Sequence, residues 1–160
     1  MESWHDYMVA QAGASAALLG LIFVGISINL DRMLKAPVIL NRAGAALLML
    51  LSVLITSSLA LVPNESPRSL GTSFLVIGAV IWVLVTLLSV SILRGTEPDL
   101  RNKALVVFVL RQVAILPLVV AGALLRSGNE NGLNWVVYAF TMTVVVALLE
   151  AWVILVEIDR

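Results

Sequence analysis

The sequence predicts an all-α integral membrane protein, a single transmembrane domain of 160 residues. Five transmembrane helices are expected, with the N-terminus outside and the C-terminus in the cytoplasm. Three observations carry this expectation. The first is composition: 61% of the residues are hydrophobic and 12% charged, with a mean hydropathy of +1.05, whereas soluble domains are about half apolar and about a quarter charged. A small soluble domain keeps a large share of its surface wet, so this much apolar surface belongs in lipid. The second is five stretches that each approach the roughly 20 apolar residues a helix needs to cross the hydrocarbon core. The third is an uneven distribution of basic residues among the links, which sets orientation.

The first span runs from about Met8 to Leu30. Met1 to Gln11 contains no Lys or Arg, and a secretory signal needs a basic start and a shorter apolar run, so this helix is expected to be retained. Asp31 to Lys35 forms a polar link. The second span, Pro37 to Val62, opens on a proline whose missing N–H costs nothing in a first turn. Pro63 to Ser69 links it to the third span, Leu70 to Leu93, and Arg94 to Lys103 leads into the fourth, Ala104 to Leu125. Arg126 to Gly132 precedes the fifth, Leu133 to Leu155. In the fourth span Arg111 and Gln112 interrupt the apolar run and Pro117 follows. A central arginine costs about 2.5–3.5 kcal/mol on insertion scales, but Val113 to Leu125 carries no charge. A full span kinked near Pro117 is expected, with a re-entrant segment as the alternative.

Orientation follows from Lys and Arg. Arg32, Lys35 and Arg42 flank the first link, Arg94, Arg101 and Lys103 the third, and Arg160 ends the chain. Only Arg68 and Arg126 lie at the other links, and Arg111 is inside. Seven of ten basic residues therefore share one side, which should face the cytoplasm. Trp4, Tyr7, Trp135 and Tyr138 then fall at the outer interface and Trp152 at the inner one, where amphipathic rings are favoured. Trp82 falls in mid-span, so its indole N–H is expected to need a buried partner.

Two intramembrane patterns stand out. On the first helix Ala12, Ala16 and Gly20 recur every fourth residue, with Gly13 and Ala17 beside them and Gly25 and Ser27 beyond. Small residues let helices approach closely in lipid. The stripe packs either within the chain or between copies around an axis. The second pattern is charge. Arg111 lies eight residues past Lys103, roughly 12 Å deep, and Glu150 lies seven residues before Glu157, roughly 10 Å deep on a helix running the other way. Buried alone each would be expensive; together they neutralise each other through bidentate hydrogen bonds. Asn29 and Arg42 should lie slightly nearer the cytoplasm, and Gln112 level with Arg111 on an adjacent face. Thr143, Ala147, Glu150 and Glu157 share one face of the fifth helix. This polar layer is either a structural ion pair or a gate, ion site or proton relay.

Other chemistry finds little purchase. Cysteine is absent, which excludes disulfides, thiolate metal sites and a cysteine nucleophile. Zero net charge implies no nucleic-acid partner. Glu2, His5 and Asp6 on a flexible tail beside Trp4 read as a wet interfacial cap rather than a metal site. Ser52 and Thr56 should bond back to the backbone or to a neighbour. No phosphate loop, zinc motif, paired catalytic carboxylates or nucleophile elbow is present, and no cofactor is implied. Catalysis would have to be built from Arg111, Glu150 and hydroxyls alone.

Asp6-Tyr7 followed by GASAALLGLIFVGISINLDR, Gly13 to Arg32, resembles small uncharacterised bacterial multi-pass membrane proteins that begin with such a helix. The likeness covers about the first 30 residues. It implies a bacterial, inner-membrane setting and carries no activity with it.

The leading functional expectation is a homo-oligomeric pore or a transport protein for an ion or small solute. Arg111, Glu150, Gln112 and Asn29 would line or support its cytoplasmic half. The alternative is a non-catalytic accessory or assembly protein for a larger membrane partner. The apolar outer half of every helix counts against an always-open aqueous pore, although apolar constrictions can gate by dewetting.

Overall fold

The computed structural model describes the backbone of residues 2–129 and 131–158 and the side chains of residues 4–129 and 131–154. The side chains of Glu2 and Glu157, and all of Arg160, lie outside the described residues. Among those described, every regular element is a helix: α1 (Glu2–Ile28), α2 (Leu30–Leu34), α3 (Pro37–Ala60), α4 (Pro67–Gly95), a 3-10 turn (Pro98–Leu100), α5 (Arg101–Arg126) and α6 (Gly132–Ile158). Five of them, α1, α3, α4, α5 and α6, are long and apolar enough to cross a membrane.

The ends differ from the sequence reading in informative ways. α1 begins at Glu2 rather than Met8, so His5 and Asp6 ride on a helix and not on a flexible tail. The first link is itself a short helix, α2, because Met33 turns inward and is buried with Ala43 and Ile154. α4 is capped by Ser66, whose side chain accepts from the Ser69 N–H at 3.1 Å, with Pro67 in the first turn, an arrangement that satisfies an otherwise orphaned donor. α5 runs unbroken through Pro117 to Arg126. With the 3-10 turn before it, it is long and apolar enough to cross a membrane. Its end is closed by Gly128 at φ 85°, with Gly128 N–H donating to Leu125 O at 3.0 Å and Asn129 N–H to Leu124 O at 2.9 Å. That pair of bonds is the glycine-terminated helix stop.

α3, α4, α5 and α6 form a ring in chain order, each packed on the next and α6 back on α3. Successive spans alternate in direction, so ring neighbours are antiparallel. α1 lies outside the ring against α3 and touches α6 only lightly. One end of the bundle gathers the Arg32, Lys35, Arg42, Arg94, Arg101 and Lys103 positions and is called here the basic end. The opposite end holds a core of Phe74, Leu118, Val136 and Phe140, joined by Met8 of α1. The middle is filled by Met49, Leu50, Val85, Ile115 and Ala147.

Within the ring the tightest approach is between α4 and α5. A Cβ built on Gly71 would overlap the backbone nitrogen of Arg126, and one on Gly122 the backbone nitrogen of Leu75. Each would also lie 2.9 Å from the other glycine's carbonyl oxygen. Only glycine at both positions allows this contact.

One expectation is corrected and one pair of alternatives narrows. Trp82 is 36% exposed on the outer surface rather than buried. The inward face of α4 is Phe74, Gly78, Ile81, Val85 and Ser89, and Trp82, one residue past Ile81, is turned about 100° away at 3.6 residues per turn. The small-residue stripe of α1 also does not pack within the chain. Gly13, Ala16, Ala17 and Gly20 are exposed and Ala12 half-buried, and a Cβ on Gly13 or Gly20 would meet nothing within 4 Å. α1 touches the bundle instead through Met8 and through Leu18, Leu19, Ile22 and Ile26. Only 6% of its spanning window is buried, against 28–39% in the other four.

Candidate functional site

One turn beyond the middle core layer, towards the basic end, three ring helices each present a polar residue inward: Ser89 on α4, Arg111 on α5 and Glu150 on α6. Arg111 is 1% and Glu150 7% exposed. The antiparallel directions bring them level, since Ser89 precedes the end of α4, Arg111 follows the start of α5 and Glu150 precedes the end of α6. The guanidinium meets the carboxylate edge to edge, with Nε donating to Oε1 at 2.6 Å and Nη2 to Oε2 at 2.7 Å. Nη1 donates to the Ser89 hydroxyl oxygen at 2.9 Å. Each guanidinium nitrogen thus has a partner. The planar fork suits a carboxylate in a way a single ammonium does not.

Of the other sequence candidates, two make their own bonds between ring helices, outside the layer. Gln112 is half-buried one residue on and so points to an adjacent face, where its amide donates to Thr86 Oγ1 of α4 at 3.3 Å. Thr143 is buried on the inward face of α6 and donates to the Ala114 carbonyl at 3.2 Å. That bond falls beside the gap in the α5 ladder. Pro117 has no N–H to give to the carbonyl four residues back, and hydroxyls from neighbouring helices commonly tend backbone groups near such breaks in lipid. Arg42 is half-buried on α3 and borders the same groove as Glu150. Asn29 does not join the layer. It sits at the α1–α2 junction and its amide donates to Gly25 O of its own helix at 3.1 Å, because α1 lies outside the ring. Ser52 and Thr56 bond back to Met49 O at 2.6 Å and Ser52 O at 2.5 Å.

Ser89 is the residue that sequence reasoning missed. It lies six residues before the end of α4 and Arg111 ten after the start of α5, so counting from the helix ends does not pair them. Serine in an apolar helix is ordinarily satisfied by its own backbone, so composition alone gives no reason to choose it.

Chemically the layer is closed on itself. The carboxylate and guanidinium cancel in charge and hold each other's hydrogen-bonding edges. Among the described residues no group of three His, Cys, Asp or Glu side chains could hold a metal ion. Comparison with protein-family models, with curated proteins and with solved structures finds no match for this chain.

Proposed function

We propose that this protein is a non-catalytic building block of a homo-oligomeric assembly in the bacterial inner membrane, with α1 as the docking helix and the Arg111–Glu150–Ser89 layer as the internal brace. The basic end faces the cytoplasm and the N-terminus the outside. The observation that carries this reading is the exposed small-residue face of α1. Gly13, Ala16, Ala17 and Gly20 form a flat strip, unused within the chain, on the span with the least burial. A glycine in a helix exposed to lipid gains nothing from its missing side chain, whereas a second helix can use the strip for close backbone contact. A pore through a single subunit has less support. Its opposite-end half is filled by Phe74, Phe140, Leu118 and Val136, and the charges of the layer are spent on each other. Conduction would have to run between subunits.

The chain has no cysteine, so single introduced thiols report cleanly. Ala17→Cys should crosslink between copies in membranes, while Val83→Cys, exposed on α4, should not. Gly20→Leu should dissolve the assembly in native mass spectrometry without lowering the stability of the monomer. A wild-type protein that is monomeric in mild detergent and does not crosslink through Ala17→Cys would overturn the homo-oligomer. Ion flux in proteoliposomes that disappears with Gly20→Leu would return the assembly to the pore reading.

Orientation is tested separately. Cysteines at Ser66 and Asn129 should label from outside intact cells, and cysteines at Lys35 and Asp99 should not. All four positions are exposed. Met33 in the same link is a poor reporter because it is buried. Labelling of Lys35→Cys with protection of Ser66→Cys would invert the orientation.

A further inference from the structure

The ring is not sealed at its basic end. The four ring helices part there around a mouth of about 600 Å³, within the range of about 300–1,000 Å³ usual for ligand sites. Arg42 and Lys103 supply positive charge to its wall, Glu97 negative charge, Thr96 a hydroxyl and Trp152 an indole. The first turns of α3 and α5 also reach it, through Val38 and Ile39 and through Lys103 and Ala104. α3 has no side-chain cap, so the mouth carries the positive end of that helix.

A second cavity lies beside the mouth. A groove of about 200 Å³ shares Arg42 and Val153 with it and runs between α5 and α6, with Val107, Leu110, Val146 and Leu149 as its apolar walls and Glu150 at its edge. Leu110, Leu149 and Val153 are exposed, and on spanning helices that surface faces the lipid tails. A largely apolar mouth carrying the charges of Arg42, Lys103 and Glu97 thus lies beside an aliphatic groove and shares two wall residues with it.

We propose that this mouth and groove bind one anionic phospholipid from the leaflet at the basic end. The phosphodiester would lie in the mouth near Lys103, Arg42 and the start of α3, and one acyl chain in the α5–α6 groove. The recognition has two parts. Basic pockets between spanning helices attract anionic headgroups, and the lateral groove accepts what a soluble anion lacks, an aliphatic chain. Trp152 sits where an indole anchors at the interface. The site stands whether the chain works alone or in an assembly. Bound lipid would tie the starts of α3 and α5 to the end of α6, next to the Glu150 layer.

The test uses the full chain purified in a neutral detergent, with dioleoyl-phosphatidylglycerol, dioleoyl-phosphatidylcholine and inorganic phosphate as probes. Native mass spectrometry should retain one phosphatidylglycerol per chain, and that lipid should raise the melting temperature more than phosphatidylcholine does. Arg42 already makes an interaction within the chain, so the exposed Lys103 isolates the headgroup contact. Lys103→Gln should weaken phosphatidylglycerol binding about fivefold, the factor one basic side chain carries near an anionic surface. Leu110→Trp, which fills the groove, should abolish retention; Leu149→Trp on the facing wall serves if that variant does not fold. Equal retention of the two lipids would overturn the headgroup site. Stabilisation by inorganic phosphate equal to that by phosphatidylglycerol would show a soluble-anion site, and retention unaffected by tryptophan in the groove would remove the acyl-chain half. Any of these three results sinks the proposal.

Discussion

Arg111→Ala and Glu150→Ala should each lower the thermal stability of the purified protein more than any substitution on the lipid-facing surface. The reason is asymmetry. In the intact layer the two charges hold each other at 2.6 and 2.7 Å, and removing one strands the other in a region with no water to receive it. Breaking a buried pair costs about 3–5 kcal/mol in soluble proteins, and in a bilayer snorkelling and water defects soften that figure. Arg111→Lys should rescue little, because one ammonium cannot meet both carboxylate oxygens and Ser89 in the geometry of the fork. Ser89→Ala should cost clearly less than either, since it removes a single hydrogen bond and leaves the charges matched. The decisive variant is Arg111→Met with Glu150→Leu. Two apolar side chains leave nothing stranded, so the double mutant should recover much of the loss, measured as the melting temperature in detergent. It should also still assemble if the layer is a brace. Simple addition of the two single-mutant losses would show that the residues act independently, and the brace would then be the wrong account.

The spans and this pair were legible for a common reason: both depend on depth along a helix, which is a matter of counting residues. Twenty apolar residues cross a bilayer whatever their neighbours are, and Arg111 and Glu150 match because each lies about two turns in from its own polar end. What counting does not supply is phase and adjacency. Trp82 was placed at the right depth and on the wrong side, because its neighbour Ile81, not Trp82, belongs to the inward series. Asn29 falls just past the end of the one span that stands outside the ring. The stripe of Ala12, Gly13, Ala16, Ala17 and Gly20 was legible as small, but which way it faced depended on where α1 packs. Gly71 and Gly122 went unnoticed for the same reason. Each is an isolated glycine in its own helix, and only the α4–α5 pairing sets them against one another. Ser89 needed both depth and partner identity, and a hydroxyl that can bond to its own helix signals neither.

The glycines give the sharpest contrast that the fold allows, because a single substitution should act with opposite sign at two kinds of site. At Gly122 an added methyl would overlap the Leu75 backbone nitrogen and crowd the Gly71 carbonyl at 2.9 Å. Both obstacles are main chain, which cannot swing aside as a side chain can, so α4 and α5 must separate and every contact along their seam loosens. Overpacking of a tight core costs typically 1–3 kcal/mol, occasionally more; Gly122→Ala and Gly71→Ala should fall at the upper end of about that range, and Gly122→Leu should abolish folding. At Gly13 and Gly20 the same methyl meets nothing within 4 Å. There the change only removes glycine's backbone freedom, a gain of about 0.8–1.0 kcal/mol in a soluble helix, so Gly13→Ala and Gly20→Ala should leave the subunit equally stable or slightly more so. The comparison belongs in a detergent that holds the protein monomeric, so that any contact through α1 does not enter. Unfolding in that detergent should then rank Gly20→Ala at or above the parent and Gly122→Ala well below it. If Gly122→Ala instead unfolds with the parent, α4 and α5 are not in backbone contact, and the ring is looser than its geometry states.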